Sequence, residues 1–137
     1  ASMKIFIDTS FVIATTNARD RHYRKARELA ASLKTMQFLT TEVVLIEIGN
    51  SFARGFREDA TAIINEFLNS ENVEVVRLTQ DLFEKAFGLY QSHRDKNWGL
   101  GDCISFVAMR QAGVQDALTH DHHFVQAGFH ALMRETA

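Results

Sequence analysis

Short apolar runs rich in β-branched and aromatic residues alternate along this chain with longer segments whose apolar residues recur every three or four positions. That alternation restricts the chain to a narrow set of folds. Lys4-Ile5-Phe6-Ile7 reads as a buried strand that stops at Asp8-Thr9-Ser10, and residues 21–34 read as an amphipathic helix through Tyr23, Ala26, Ala30 and Leu33. Gln37-Phe38-Leu39 forms the next strand. Thr40-Thr41 then caps a helix reaching about Phe56, and a further helix starts at Glu58 or Asp59 and runs to about Leu68. Residues 73–78 give a third strand, after which Thr79 caps a helix ending near His93. A loop with two glycines, 95–101, leads to Asp102 at the start of a helix that Gly113 ends. Residues 117–119 and 129–132 are the last strands, separated by a turn of helix near 123–127. The expected class is α/β, a parallel sheet covered by helices on both faces.

With 137 residues and no composition shift, the chain is expected to form one domain over residues 3–137, with Ala1-Ser2 read as a tag remnant. No segment approaches the length of a membrane span, so no membrane partner is expected. The lone Cys103 cannot form an internal bridge and fits a reducing cytoplasm.

The informative residues are acidic. Ligands of open α/β sheets bind beyond the carboxyl ends of the strands, and Asp8 and Asp121 follow the first and fourth strands there. Asp102, opening a helix, points to the same crevice. Glu47 interrupts the apolar stretch 43–48, where an ionised carboxylate is costly unless something pairs with it. It shares a helical stripe with Asn50 and Arg54. Singly, each aspartate suits a cap or a turn; only the set points to chemistry. Carboxylates that converge without matching cations repel one another, and a hard divalent ion such as Mg²⁺ or Mn²⁺ relieves this. Such an ion suits phosphodiester hydrolysis.

A net charge of −2 excludes a binder that works by bulk positive charge. Setting four acids aside leaves 13 acidic against 15 basic residues, with cations gathered at Arg19, Arg21, Arg24, Lys25 and Arg27 and at Arg54 and Arg57. Arg19, Arg21, Arg24, Arg54 and Arg57 are candidate RNA contacts. The histidines at 120, 122, 123 and 130 raise a zinc hydrolase as a rival, although no zinc-motif spacing is present. A phosphate-transferring receiver-like domain is disfavoured because Asp8-Thr9-Ser10 lacks a second acid and no lysine follows a late strand.

The segments Ile7-Asp8-Thr9-Ser10, Ile46-Glu47-Ile48-Gly49-Asn50, Gly101-Asp102-Cys103-Ile104-Ser105-Phe106, Thr119-His120-Asp121-His122-His123-Phe124 and Ala127-Gly128-Phe129 resemble, in order and spacing, the PIN-domain ribonucleases, in particular VapC-type toxins of bacterial toxin–antitoxin pairs. The resemblance covers nearly the whole chain. It implies a three-layer α/β/α domain, Mg²⁺- or Mn²⁺-dependent endoribonuclease activity, homodimers and inhibition by a small antitoxin. It also implies that Asp8, Glu47, Asp102 and Asp121 are the acidic site, with Asp8, Asp102 and Asp121 as metal ligands. Thr9, Ser10 and Thr119 are expected to support them, and Gly101 departs from the family, where a hydroxyl residue commonly stands. The alternative is a non-catalytic PIN-like domain that binds RNA or protein, which would have no need to tolerate the repulsion among four acids.

Overall fold

The computed structural model describes residues 3–134, so Ala1-Ser2, read above as a tag remnant, and residues 135–137 lie outside the described part. Five parallel strands form one sheet in the order β3-β2-β1-β4-β5: β1 (Lys4–Ile7), β2 (Gln37–Thr41), β3 (Val73–Val76), β4 (Asp116–Leu118) and β5 (His130–Ala131). β1 lies at the centre and is apolar on both faces, as an internal parallel strand must be. The chain moves outward from β1 to β2 and β3, crosses back to β4 and continues to β5, so the order reverses between β1 and β4.

Neighbouring residues of β1 face opposite ways and define two helical layers. Ile7 borders the side where α1 (Thr9–Thr16), α2 (Tyr23–Ser32) and α4 (Arg57–Asn69) contribute Phe11, Ala30 and Phe67. Phe6 meets Phe124 of α7 (His122–Gln126), which packs edge-on at 5.0 Å against Phe106 of α6 (Leu100–Ala112). Phe106 in turn meets Trp98 and Phe129, and α5 (Gln80–Ser92) packs on α6. The fold is thus the expected α/β/α sandwich.

Several boundaries differ from the sequence reading. A helix, α1, begins at Thr9, directly after the first strand, where only a strand end was expected; Phe11, Val12 and Ala14 are buried by tertiary packing that a run of mixed apolar residues does not announce. The helix α3 (Glu42–Ser51) is capped by the Thr41 hydroxyl accepting from Val44 N, but it ends before Phe56. Gly55, at φ 83°, turns the chain into α4. Arg54 therefore sits in this turn and not on the Glu47 stripe. Asp102 is the third residue of α6, two after its start at Leu100. Gly113, at φ 69°, does end α6.

Phe106 is fully buried beneath this aromatic cluster. Phe106→Ala is expected to cost about 3–5 kcal/mol, measured by urea unfolding.

Candidate active site

The strand order reverses between β1 and β4, and there the acids gather. Ile7 pairs with Leu118, and Asp8 N donates to Leu118 O (3.3 Å), which sets the residues after β1 beside those after β4. Thr119, fully buried, donates its hydroxyl to Asp8 Oδ2 at 2.7 Å and accepts from Asp121 N at 3.1 Å. Ser10 also donates to Asp8 Oδ2 (2.9 Å) from the first turn of α1. Its neighbour Thr9 donates to Glu47 Oε1 across to α3 (2.8 Å). The three hydroxyl residues expected to support the site therefore all hold an acid.

Asp102 Oδ2 accepts from Gly99 N at 3.1 Å, which fixes the carboxylate against the first turn of α6. Asp121 caps α7 by accepting from His123 N at 2.9 Å. The His123 ring joins the two, with Nδ1 at 3.1 Å from Asp102 Oδ2 and 3.3 Å from Asp121 Oδ1. His123 was not among the expected supporting residues; the crowded Thr119-His120-Asp121-His122-His123 run was the available signal. Gly101 also has a local reason. A Cβ there would stand 3.0 Å from Glu47 Oε2, so the missing side chain lets α6 approach the Glu47 carboxylate.

All four acids share one pattern. Protein hydrogen bonds among the described residues reach a single oxygen of each: Oδ2 of Asp8 and Asp102, Oε1 of Glu47, and Oδ1 of Asp121. The other oxygen of each has no hydrogen-bond donor among the described residues, and that of Glu47 lies against Gly101. Among the described residues no lysine or arginine pairs with any of them. Burial, opposed by the Thr119 and Ser10 hydroxyls and assisted by the charges of Asp102 and Asp121, pushes Asp8 above the ordinary carboxylate value. Burial also raises Glu47, against its Thr9 bond and with Asp8 and Asp102 adding repulsion. Asp102 is raised first by burial and then by Asp121, while the Gly99 N–H and His123 oppose the shift. Acids that repel one another with no lysine or arginine paired to them have the chemistry of a candidate cation site.

The histidines do not assemble as one zinc centre. His120 stacks on His22 at 4.1 Å, and His130 Nδ1 lies 2.9 Å from Asp116 Oδ1, at the other end of β4. His122 and His123 do lie with Asp121 as a group whose donor atoms fall within 4.8 Å of one another, at the start of α7. Of the expected RNA-contacting cations, Arg19 and Arg24 are exposed near the start of α2, and Arg54 and Arg57 are exposed at the α3–α4 turn, where Arg57 shares an open pocket with Glu58 and Asp59. Arg21 lies against His22, His120 and Arg134.

The PIN-domain family model matches residues 5–130. The chain belongs to the PIN-domain family. This PIN domain is 34% identical over 125 residues to the 23S rRNA-specific endonuclease VapC20 of Mycobacterium tuberculosis, covering 91% of this chain and 95% of that protein. The crystal structure of VapC20, described as a sarcin-ricin loop cleaving toxin, matches with a TM-score of 0.83 at 33% identity, over 92% of this chain and 96% of that one. DNA-bound VapBC from Salmonella typhimurium (TM-score 0.63, 15% identity, 94% and 96% covered) and FitAcB from Neisseria gonorrhoeae (0.59, 13%, 93% and 94%) share the fold.

The raised acids carry a stability signature. A carboxyl group whose value is higher in the folded than in the unfolded chain adds stability that is complete below the unfolded value, near pH 4, and is lost as the pH rises through the folded value. Without metal, the PIN domain is therefore expected to melt at higher temperature as the pH falls from 7.5 into this window. Asp102→Asn should raise the melting temperature at pH 7.5 in EDTA and flatten that dependence, as followed by thermal unfolding.

Proposed function

We propose that this PIN domain is a divalent-metal-dependent endoribonuclease, the toxin of a type II toxin–antitoxin pair, with Asp8, Glu47, Asp102 and Asp121 as its acidic centre. The observation that carries this reading is the set of four carboxylates, each anchored by a hydrogen bond to one oxygen, and coupled by mutual repulsion in Asp8, Glu47 and Asp102. The 34% identity to a ribosomal-RNA endonuclease supports RNA as the substrate class. A toxin calls for a neutralising protein, which supports a small antitoxin as partner, and RNA cleavage by such a toxin belongs in the cytoplasm. No helix among the described residues is long and apolar enough to cross a membrane.

Asp8, Asp102 and Asp121 would hold a Mg²⁺ or Mn²⁺ ion. When bound, the ion supplies an activated water and offsets the charge that builds on the phosphate. Thr119 and Ser10 keep the Asp8 carboxylate from turning away, and the Gly99 N–H does the same for Asp102. Glu47, held by Thr9, would accept a proton from the attacking water. Its upward shift suits that role, because it makes the carboxylate a stronger base than an ordinary glutamate. His123 spans Asp102 and Asp121 and orients both.

A homodimer has a candidate surface on α5. Phe83, Phe87 and Tyr90 are all exposed, at spacings of four and three residues, with successive rings stacked at 6.1 and 6.4 Å. Monomers seldom leave such an apolar stripe to solvent.

Cleavage of RNA should require Mg²⁺ or Mn²⁺ and disappear in EDTA. Asp8→Asn and Asp102→Asn should abolish it while the fold remains intact by circular dichroism, whereas His123→Gln should lower it about 10–100-fold. If both asparagine variants cut as well as the parent, the nuclease reading is wrong and the domain is a non-catalytic binding module. Phe87→Glu is expected to convert a dimer into a monomer by analytical ultracentrifugation.

A further inference from the structure

Next to the acidic centre lies a pocket of opposite character that the hydrolytic chemistry above does not use. Asp20, Arg21 and His22 from the α1–α2 connection, His120 from the β4–α7 loop and Arg134 from the segment after β5 surround an open space of about 370 Å³. Met133 N donates to Thr119 O (3.2 Å) and Arg134 Nη1 donates to His120 O (3.0 Å), which joins the last two segments, while within the α1–α2 connection Asp20 Oδ1 accepts from His22 N (2.8 Å). The His22 and His120 rings stack with an 18° tilt.

Two guanidinium groups and two imidazoles thus converge against one carboxylate, and that carboxylate is engaged by the backbone. Among the described residues neither Arg21 nor Arg134 forms an ion pair. Burial, His120 and Arg21 all disfavour a charged His22, while only Asp20 among the facing groups favours it, which agrees with a positive local potential. Such a cavity suits an anion with several oxygens, which a guanidinium fork binds through two parallel hydrogen bonds.

We infer that the Arg21–His22–His120–Arg134 pocket is a phosphate subsite for the RNA strand, holding a phosphodiester next to the one at the acidic centre. The inference rests on the ribonuclease reading, and continuity of the chain argues for RNA over other anions. Thr119 braces Asp8, His120 forms the pocket wall and Asp121 is one of the four acids, so three consecutive residues join the two sites. A strand drawn to a cluster of four acids needs a neighbouring cation set to offset the repulsion, and this pocket is placed to provide it. Arg21 and Arg134 are here positioning residues.

The test is fluorescence anisotropy of a fluorescein-labelled single-stranded RNA with the Asp8→Asn protein in Mg²⁺, over a series of salt concentrations. Adding Arg21→Gln or Arg134→Gln should weaken binding about tenfold and reduce the steepness of log K against log salt by about 0.7, the loss of one single-strand phosphate contact. Arg21→Lys should recover the salt slope by restoring the charge, and Lys85→Gln on α5 should change neither quantity. Thermal melts of each variant report whether the fold persists. Parental affinity and slope in both glutamine variants overturn the inference and leave the pocket to an acidic peptide; failure of the Asp8→Asn protein to bind RNA also overturns it. RNA cleavage by the wild-type protein is measured in parallel, so an Arg-dependent interaction without cleavage would sink the nuclease reading and leave the subsite standing.

Discussion

The pairing of β1 with β4 is the constraint from which the rest follows. Among the described strands β1 alone has neighbours from opposite directions of the chain's winding, the kind of switch point at which helices on either side part at the carboxyl end. Register decides what meets there. With Ile7 opposite Leu118, the next residues on the two strands are Asp8 and Thr119, and their side chains meet at 2.7 Å although 111 positions separate them. A register shift would turn one of the two to the other face of the sheet and dissolve the contact.

Around this pair the protein uses hydroxyls and backbone N–H groups in place of cations. Thr9, Ser10, Thr119, Gly99 N and the His123 backbone N all donate to the acids, and each donor takes one oxygen of its acid. Neutral donors orient a carboxylate without cancelling its charge. Lysine or arginine in their place would quench the field that attracts a metal ion. The arrangement costs stability, as the raised values of Asp8, Glu47 and Asp102 indicate, and the buried aromatic cluster of Phe6, Phe106 and Phe124 beneath one face of the sheet is the kind of core that can tolerate that cost.

Charge is also divided in space. The acids occupy the switch point, while Arg21 and Arg134 place two cations beside His22 and His120 in the neighbouring pocket, so a chain with net charge −2 still has a locally cationic surface. Net charge alone is a poor guide to partners when the two signs are sorted this sharply.

By itself the sequence determined the alternation of strands and helices, the Thr41 and Thr79 caps and the Gly113 stop, and it singled out the four acids as candidates, because these depend on local periodicity, on backbone preferences or on a charge in an apolar run. Glu47 among valines and isoleucines was legible for that last reason. Only the tertiary structure decided that Thr9 begins a helix at once, that Arg54 leaves the Glu47 stripe at the Gly55 turn, that His123 bridges two acids, and that Arg21 faces His120 and Arg134. The Arg21 grouping depends on segments about a hundred residues apart, the Thr9 helix is short and has no periodic stripe, the His123 bridge depends on how α7 packs on α6, and the Arg54 turn on where α3 stops, and none of these is carried by local periodicity.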